Sequence, residues 1–149
     1  MFTNEYSKLD IKIGFPHLFE FGSEHQFNYL VMTMYGPNLI QLMRLCGGKF
    51  SARTTLLIAL QIIDRLEDIH QKKYLYGGIC PENFMVGTGK ESYLLYMTDF
   101  GKSTIYKSKN KGTHIPYQTT NTYEHSSYDH VFMSVNCQLG VQSSRRDDI

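Results

Sequence analysis

The chain of 149 residues has no tryptophan, four prolines and three cysteines. Cys46, Cys80 and Cys137 are odd in number, widely spaced and outside any Cys-x-x-Cys motif. This pattern argues against a disulfide framework or a zinc site and favours a reducing compartment. No apolar run approaches the ~20 residues that a transmembrane helix needs, and the first residues do not resemble a signal peptide. We therefore expect an intracellular protein, in the cytoplasm or the nucleus, with no membrane partner.

An excess of charge of one sign is also missing, because 15 Lys and Arg face 14 Asp and Glu, for a net charge of +1. A general nucleic-acid-binding protein carries a strong positive excess, so nucleic acid is not an expected partner. Apolar residues make up 42% of the chain and aromatic residues 13%. This composition is typical of a globular protein rather than a disordered one, and the length suits one domain.

The first forty residues carry strand signals. Residues 1–11 are similar to the end of a helix. Alternating apolar residues predict strands over 18–22 and 27–34, with the turn at 22–24. Residues 35–37, Tyr-Gly-Pro, then break the strand pattern.

Two helices are predicted next. Asn38 is a candidate cap for a short helix that ends near Cys46, before two glycines. Ser51 is a candidate cap for the longest element, over residues 52–71. An apolar stripe runs along this helix and consists of Leu56, Leu60, Ile62, Ile63, Leu66 and Ile69. The width of the stripe predicts that neighbours pack against the helix on several sides.

A hairpin is predicted from strand candidates at 84–86 and 93–98, joined by a turn-rich link. If these strands pair antiparallel, Asn83 and Asp99 lie together at one end of the hairpin. An amide oxygen and a carboxylate there suit Mg²⁺, which takes oxygen ligands; the alternative is that both are ordinary polar turn residues. About thirty polar residues follow Gly101, and a stretch of that length is either a functional loop or disordered.

Several short motifs occur in the order seen in eukaryotic protein kinases. They are Leu30-Val31-Met32, Gly36-Pro37-Asn38-Leu39, Ile69-His70, Pro81-Glu82-Asn83-Phe84, Asp99-Phe100-Gly101, His114-Ile115-Pro116-Tyr117 and Ser144-Arg145-Arg146-Asp147-Asp148. The Gly-Pro-Asn-Leu, His-Ile-Pro-Tyr and Ser-Arg-Arg-Asp-Asp motifs resemble the casein kinase 1 family of Ser/Thr kinases over nearly the whole chain. The resemblance implies an α+β, protein-kinase-like fold in part. It places the end of a β-rich N-lobe at 1–34, a hinge at 35–37 and a partial helical C-lobe at 38–149, with an activation segment at about 99–140.

The resemblance also implies a site for ATP and Mg²⁺. Met32 matches the gatekeeper position, and the hinge positions whose backbone binds adenine are Thr33, Met34, Tyr35 and Gly36. Asn83 and Asp99 match the two metal ligands of the family. Asp148 matches an aspartate that opens a large helix of the C-lobe.

The catalytic loop departs from the family. An active member reads His-Arg-Asp-Ile-Lys-Pro-x-Asn, whereas residues 76–83 read Tyr-Gly-Gly-Ile-Cys-Pro-Glu-Asn. The Asp that accepts the substrate proton falls on Gly78, and the Lys that stabilises the transferring phosphoryl group falls on Cys80. A general base contributes roughly 10²–10⁴ in rate, and electrostatic stabilisation often more. No catalytic residue is therefore predicted, and Glu82 lies on the wrong side of Pro81 to substitute.

Other positions depart as well. The family recognises acidic or phosphorylated substrates with basic residues where this chain has Val131 and Gly77. The Gly-rich loop and the phosphate-binding Lys are expected to be missing, and the Glu that pairs with this Lys falls near Glu5 or Tyr6. Binding of ATP and Mg²⁺ is therefore predicted to be weak. The large helix after Asp148 is also expected to be missing, which predicts a marginal fold and association through an exposed apolar surface.

The sequence thus predicts a casein-kinase-1-like pseudokinase fragment that transfers no phosphate and has at most a binding or regulatory role. Its protein partners are not indicated, and a decayed or partial gene product without a role is an open alternative. The rival hypothesis is an active Ser/Thr protein kinase, seen as a partial chain, that transfers phosphate from ATP to protein. The replacement of residues 76–78 disfavours this rival because it lies inside the chain.

Overall fold

The computed structural model describes residues 13–107, 112–117, 119 and 129–149. In chain order the elements are β1 (Leu18–Glu24), β2 (Phe27–Met32), α1 (Leu39–Leu45), α2 (Ala52–Gln71), β3 (Tyr74–Leu75), β4 (Phe84–Val86), β5 (Leu95–Met97), β6 (Thr104–Ile105), α3 (Asp129–Phe132) and α4 (Val135–Gln138). The strands pair antiparallel, β1 with β2, β3 with β6 and β4 with β5. The predicted mixed α+β class is therefore confirmed, while the division into kinase lobes and a hinge stays a prediction.

The chain divides into two compact units. The first contains the chain up to Arg65 together with Pro81–Asp99, and the second contains Leu66–Cys80 and the described part of Phe100–Ile149. The buried apolar side chains of the first unit are Phe15, Leu39, Phe84, Leu95, Tyr96 and Met97. Those of the second unit are Leu66, Ile69, Leu75, Tyr76, Tyr106 and Cys137.

The β1–β2 hairpin was predicted, but its turn lies elsewhere. β1 continues through Gly22 to Glu24, and the turn falls at residues 25–26, where His25 has a φ of 54°. Gly22 stays in the strand because the Tyr29 ring of β2 lies directly across from it, so that a Cβ there would meet the phenol oxygen at 2.6 Å. The prediction of a turn at 22–24 is wrong, since this glycine makes room for a ring rather than for a bend.

Both predicted helices and their caps are confirmed. The Asn38 side chain accepts a hydrogen bond from the Gln41 backbone N–H (2.9 Å), and the Gln41 side chain accepts one from the Asn38 N–H (2.9 Å). This reciprocal pair begins α1. At α2 the Ser51 hydroxyl accepts from the Thr54 N–H (3.1 Å), which satisfies one of the orphan donors of the first turn.

The apolar stripe of α2 is buried only towards its carboxyl end. Leu66 and Ile69 are buried, whereas Leu56, Leu60 and Ile63 are each more than half exposed. The prediction that neighbours cover this helix on several sides is therefore wrong for its first half. The expectation of an exposed apolar surface is confirmed at the first half of this helix.

The second unit contains elements that the sequence did not predict. β3 and β6 form a ladder of two residue pairs, and β6 lies within what was predicted to be a long loop. α3 lies at the end of that predicted loop, and α4 follows it. Part of that predicted loop, like the predicted helix end at 1–11, lies outside the described residues. In the described part of the chain, no helix combines the length and apolarity needed to cross a membrane.

Candidate functional site

The β4–β5 hairpin brings the two predicted metal ligands to the same end. Phe84 pairs with Met97 in the ladder, and the carbonyl oxygen of Asn83 accepts hydrogen bonds from the Thr98 backbone N–H (2.9 Å) and hydroxyl (3.0 Å). Asp99 follows Thr98 directly. The predicted juxtaposition of Asn83 and Asp99 is therefore present in the first unit.

Asp99 has an unusual backbone conformation. Its φ is 52°, in the left-handed region, and its side chain is exposed. Non-glycine residues rarely adopt this region, where Asp and Asn are several-fold enriched. The conformation turns the chain directly after Thr98, the residue that hydrogen-bonds to Asn83.

The donor chemistry of this hairpin end fits Mg²⁺ in kind but not in number. It offers an amide oxygen and a carboxylate, and Mg²⁺ accepts such ligands while keeping several waters or phosphate oxygens. Among the described residues, no group of three or more His, Cys, Asp or Glu could hold a metal ion by itself. A cation here would need water or ligand oxygens to complete its shell, so metal binding stays a prediction.

The predicted hinge follows β2. Met32 ends the strand at 36% exposure. The Thr33 N–H donates to the His17 carbonyl (3.1 Å), and the Gly36 N–H donates to the Val86 carbonyl (2.8 Å). Between these anchors, the backbone N–H and C=O groups of Met34 and Tyr35 have no hydrogen-bond partner within the described part of the chain. These are the groups that could bind a ligand through its polar edge.

Aromatic stacking holds one residue of the predicted hinge. The Tyr35 ring stacks on the Tyr96 ring of β5, with centroids 4.4 Å apart and planes inclined by 30°. The Tyr96 hydroxyl donates to Glu91 (2.7 Å). Burial, together with this bond to a carboxylate, raises the pKa of Tyr96 to about 12. Met34, which is 82% exposed, is the open member of the predicted hinge.

In the second unit, Asp148 holds the first residues of the predicted catalytic loop. Its carboxylate is buried and accepts from the Tyr76 N–H (2.9 Å) and the Gly77 N–H (2.8 Å). The same carboxylate lies 2.8 Å from His70 Nε2. The sequence identified Asp148 only through the family motif, and no local pattern indicated these three contacts.

The positions that matched catalytic residues have no charged side chain. Gly77 has a φ of 69°, and a Cβ there would lie 2.9 Å from the Lys102 carbonyl oxygen. Gly78 is buried, and its φ lies outside the left-handed region. Cys80 is half-buried and not in a disulfide. The second unit therefore provides neither a carboxylate at position 78 nor an ammonium group at position 80.

The remaining predicted positions give little further chemistry. Val131 lies in α3 and is 77% exposed. Glu5 and Tyr6 lie outside the described residues. Glu82 is half-buried in a short 3₁₀ turn at Pro81–Asn83.

Asp147, beside Asp148, forms a separate network that the sequence did not indicate. Its carboxylate accepts from the Ser134 hydroxyl (2.6 Å) and the Ser144 backbone N–H (2.7 Å). Burial opposes the charged form, but these hydrogen bonds and the nearby Arg146 outweigh it, so the pKa of Asp147 lies below its usual value. The network fixes the Ser-Arg-Arg-Asp-Asp motif to the cap of α4.

No known protein-family model matches this chain.

Proposed function

We propose that this chain is a casein-kinase-1-like domain that does not transfer phosphoryl groups and serves in a binding or regulatory role. One observation carries the proposal. Gly78 occupies the position of the general base, directly after two residues whose backbone is held by Asp148. These hydrogen bonds fix the backbone directly before position 78, which supports a loop that has lost the general base without being rebuilt around another one.

The neighbouring side chains do not supply the missing chemistry. A general base must come within about 2.6–3.2 Å of the proton that it accepts. Gly77 has no side chain, and Tyr76 is fully buried with its ring against Phe100. Cys80 offers a thiol where the family has a cation, and a neutral thiol does not stabilise the negative charge of a transferring phosphoryl group.

Weak nucleotide binding is the second part of the proposal. Asn83 and Asp99 offer oxygen ligands at one end of the β4–β5 hairpin, and Met34 and Tyr35 offer backbone donors and acceptors. Mg²⁺ bridges phosphate oxygens in kinases, so these groups together suit a metal nucleotide. Two metal ligands and two backbone positions hold such a ligand only loosely.

A phosphoryl-transfer assay tests the first part. The purified chain is incubated with γ-labelled ATP, Mg²⁺ and an acidic protein substrate, and label on protein is counted. We expect none above a heat-inactivated sample. Label that disappears in Asp99→Asn but persists in the matched variant Asp68→Asn would support the active-kinase hypothesis and overturn this proposal.

Restoring the side chains tests the reason for inactivity. Gly78→Asp is combined with Cys80→Lys. The φ of Gly78 is not left-handed, so the backbone tolerates a side chain, and a melting curve checks that this buried position accepts the carboxylate. Transfer by the double variant would assign the loss to these two side chains. Continued inactivity, with an unchanged melting temperature, would show that further parts of the catalytic machinery are lacking.

A further inference from the structure

The first half of α2 has an apolar face that the described residues leave open. Leu56, Leu57, Leu60 and Ile63 are 65%, 53%, 60% and 52% exposed. With 3.6 residues per turn, these four and two charged neighbours fall within a sector of about 120°. We call this sector the α2 outer face. Its six residues are Arg53, Leu56, Leu57, Leu60, Ile63 and Asp64.

The opposite side of the helix is the side that packs. Gln61 donates to the Tyr93 carbonyl (3.1 Å) and accepts from the Leu95 N–H (2.9 Å). Ile58 and Ile62 are half-buried, and Arg65 is buried. The helix is therefore anchored through one face, and the outer face is a second apolar surface. A helix that is apolar on both sides is normally covered on both.

The charges of the outer face have a definite order. Arg53 lies at the amino-terminal end of the apolar patch, and Asp64 lies at its carboxyl-terminal end. Within the described ranges, neither side chain has an oppositely charged group within 4 Å. A patch with a cation at one end and an anion at the other is complementary to itself when two copies run antiparallel. A parallel arrangement would instead bring like charges together.

We propose that the α2 outer face binds the same face of a second copy of this chain, with the two helices antiparallel. In the register that places Arg53 beside Asp64 of the second copy, Leu57 lies beside Leu60 of that copy. Two-fold symmetry makes each of these contacts twice. The proposal does not depend on the proposed function.

The size of the face sets the expected strength. The six residues span about 18 Å of helix at 1.5 Å per residue, and a helix is about 10 Å wide. The area of the face is therefore about 180 Å², which is less than the roughly 800 Å² per partner of a standard stable interface. We therefore expect a weak dimer, with a dissociation constant of about 100 μM, because only a small apolar surplus remains after the cost of association.

Analytical ultracentrifugation of the whole chain between about 5 and 500 μM tests the proposal. We expect the average mass to rise from monomer towards dimer, and Leu60→Glu to remain monomeric throughout. Leu45→Glu is the matched control because Leu45 is a leucine on α1 with 81% exposure, and it should associate like the wild type. Circular dichroism melts at 5 μM check that each variant keeps the fold.

Charge exchange tests the register. Arg53→Asp and Asp64→Arg, taken singly, place like charges together at both ends of the interface and should each weaken dimerisation about tenfold. The double variant restores opposite charges and should regain the wild-type constant. A wild type that stays monomeric at 500 μM, a Leu60→Glu variant that still dimerises, or a double variant no stronger than the single ones overturns the proposal.

Discussion

Replacing Asp148 by Asn should destabilise the second unit far more than the chemical change suggests. The carboxylate is buried and accepts three contacts, from the Tyr76 and Gly77 N–H groups and from His70. A carboxamide keeps one acceptor oxygen and presents an NH₂ group at the other position. In either orientation, the NH₂ group faces a backbone donor, which is the buried Tyr76 N–H in one case and the part-buried Gly77 N–H in the other.

The magnitude follows from that count. A buried donor without an acceptor costs about 1–3 kcal/mol, so Asp148→Asn should lose about that much. For a domain of this size, the melting temperature should fall by about 2–4 °C for each kcal/mol. Asp148→Ala removes both oxygens and should cost about 3–5 kcal/mol, as when one partner of a buried pair is deleted. Such a loss is a large part of the 5–15 kcal/mol that stabilises a typical domain.

The assay is denaturant unfolding, combined with hydrogen exchange of the backbone amides at 76–77. The matched control is Asp68→Asn, which changes the same atoms on a half-exposed residue of α2 and should stay within about 0.5 kcal/mol of wild type. We expect the two amides to exchange faster in Asp148→Asn but not in the control. A variant with wild-type stability and unchanged exchange at these amides would refute the assigned role of Asp148.

Three further predictions concern other parts of the chain. Gly77→Ala should lower the free energy of unfolding by about 1–3 kcal/mol, and by more than the control variant Gly89→Ala. Both glycines have a left-handed φ, but only at Gly77 does a new Cβ meet a carbonyl oxygen. Equal losses in denaturant unfolding would contradict this contact. Because the pKa of Asp147 is lower in the folded than in the unfolded state, its ionised carboxylate stabilises the fold. This contribution is complete above the unfolded-state pKa and is lost as the pH falls through the folded-state pKa. Between pH 5 and pH 2.5, wild type should therefore lose more stability than Asp147→Asn, and parallel losses would show that the network does not matter. Mg-ATP at about five times its dissociation constant should raise the melting temperature by about 2–4 °C through mass action. Asp99→Asn should abolish this increase, whereas the control variant Asp68→Asn should retain it.

The parts of the fold that the sequence predicted correctly depend on neighbouring residues. The Asn38 and Ser51 caps follow from contacts three residues along the chain, and the β4–β5 pairing joins strands that are neighbours in sequence. Because antiparallel strands return the chain to its starting point, the pairing also placed Asn83 and Asp99 together. This part of the candidate site was predictable for the same reason.

The errors and omissions involve partners that are distant along the chain or opposite in a ladder. Gly22 fits a turn pattern in the sequence, but its role depends on the Tyr29 ring of the next strand. The role of Asp148 was missed because its partners lie more than 70 residues earlier. The open half of α2 was also mispredicted, since periodicity shows that a face is apolar but does not show what covers it.

The attachment of residues 76–77 to Asp148 has a consequence for biogenesis. The two hydrogen bonds close a segment of 71 and 72 residues, and non-local contacts of this kind carry a loop-closure cost and tend to form slowly. During translation, the amides donate to water until the second aspartate of the Ser-Arg-Arg-Asp-Asp motif has left the ribosome. A nascent chain that has emerged only as far as the β4–β5 hairpin can therefore form that hairpin while Tyr76 and Gly77 still await their acceptor.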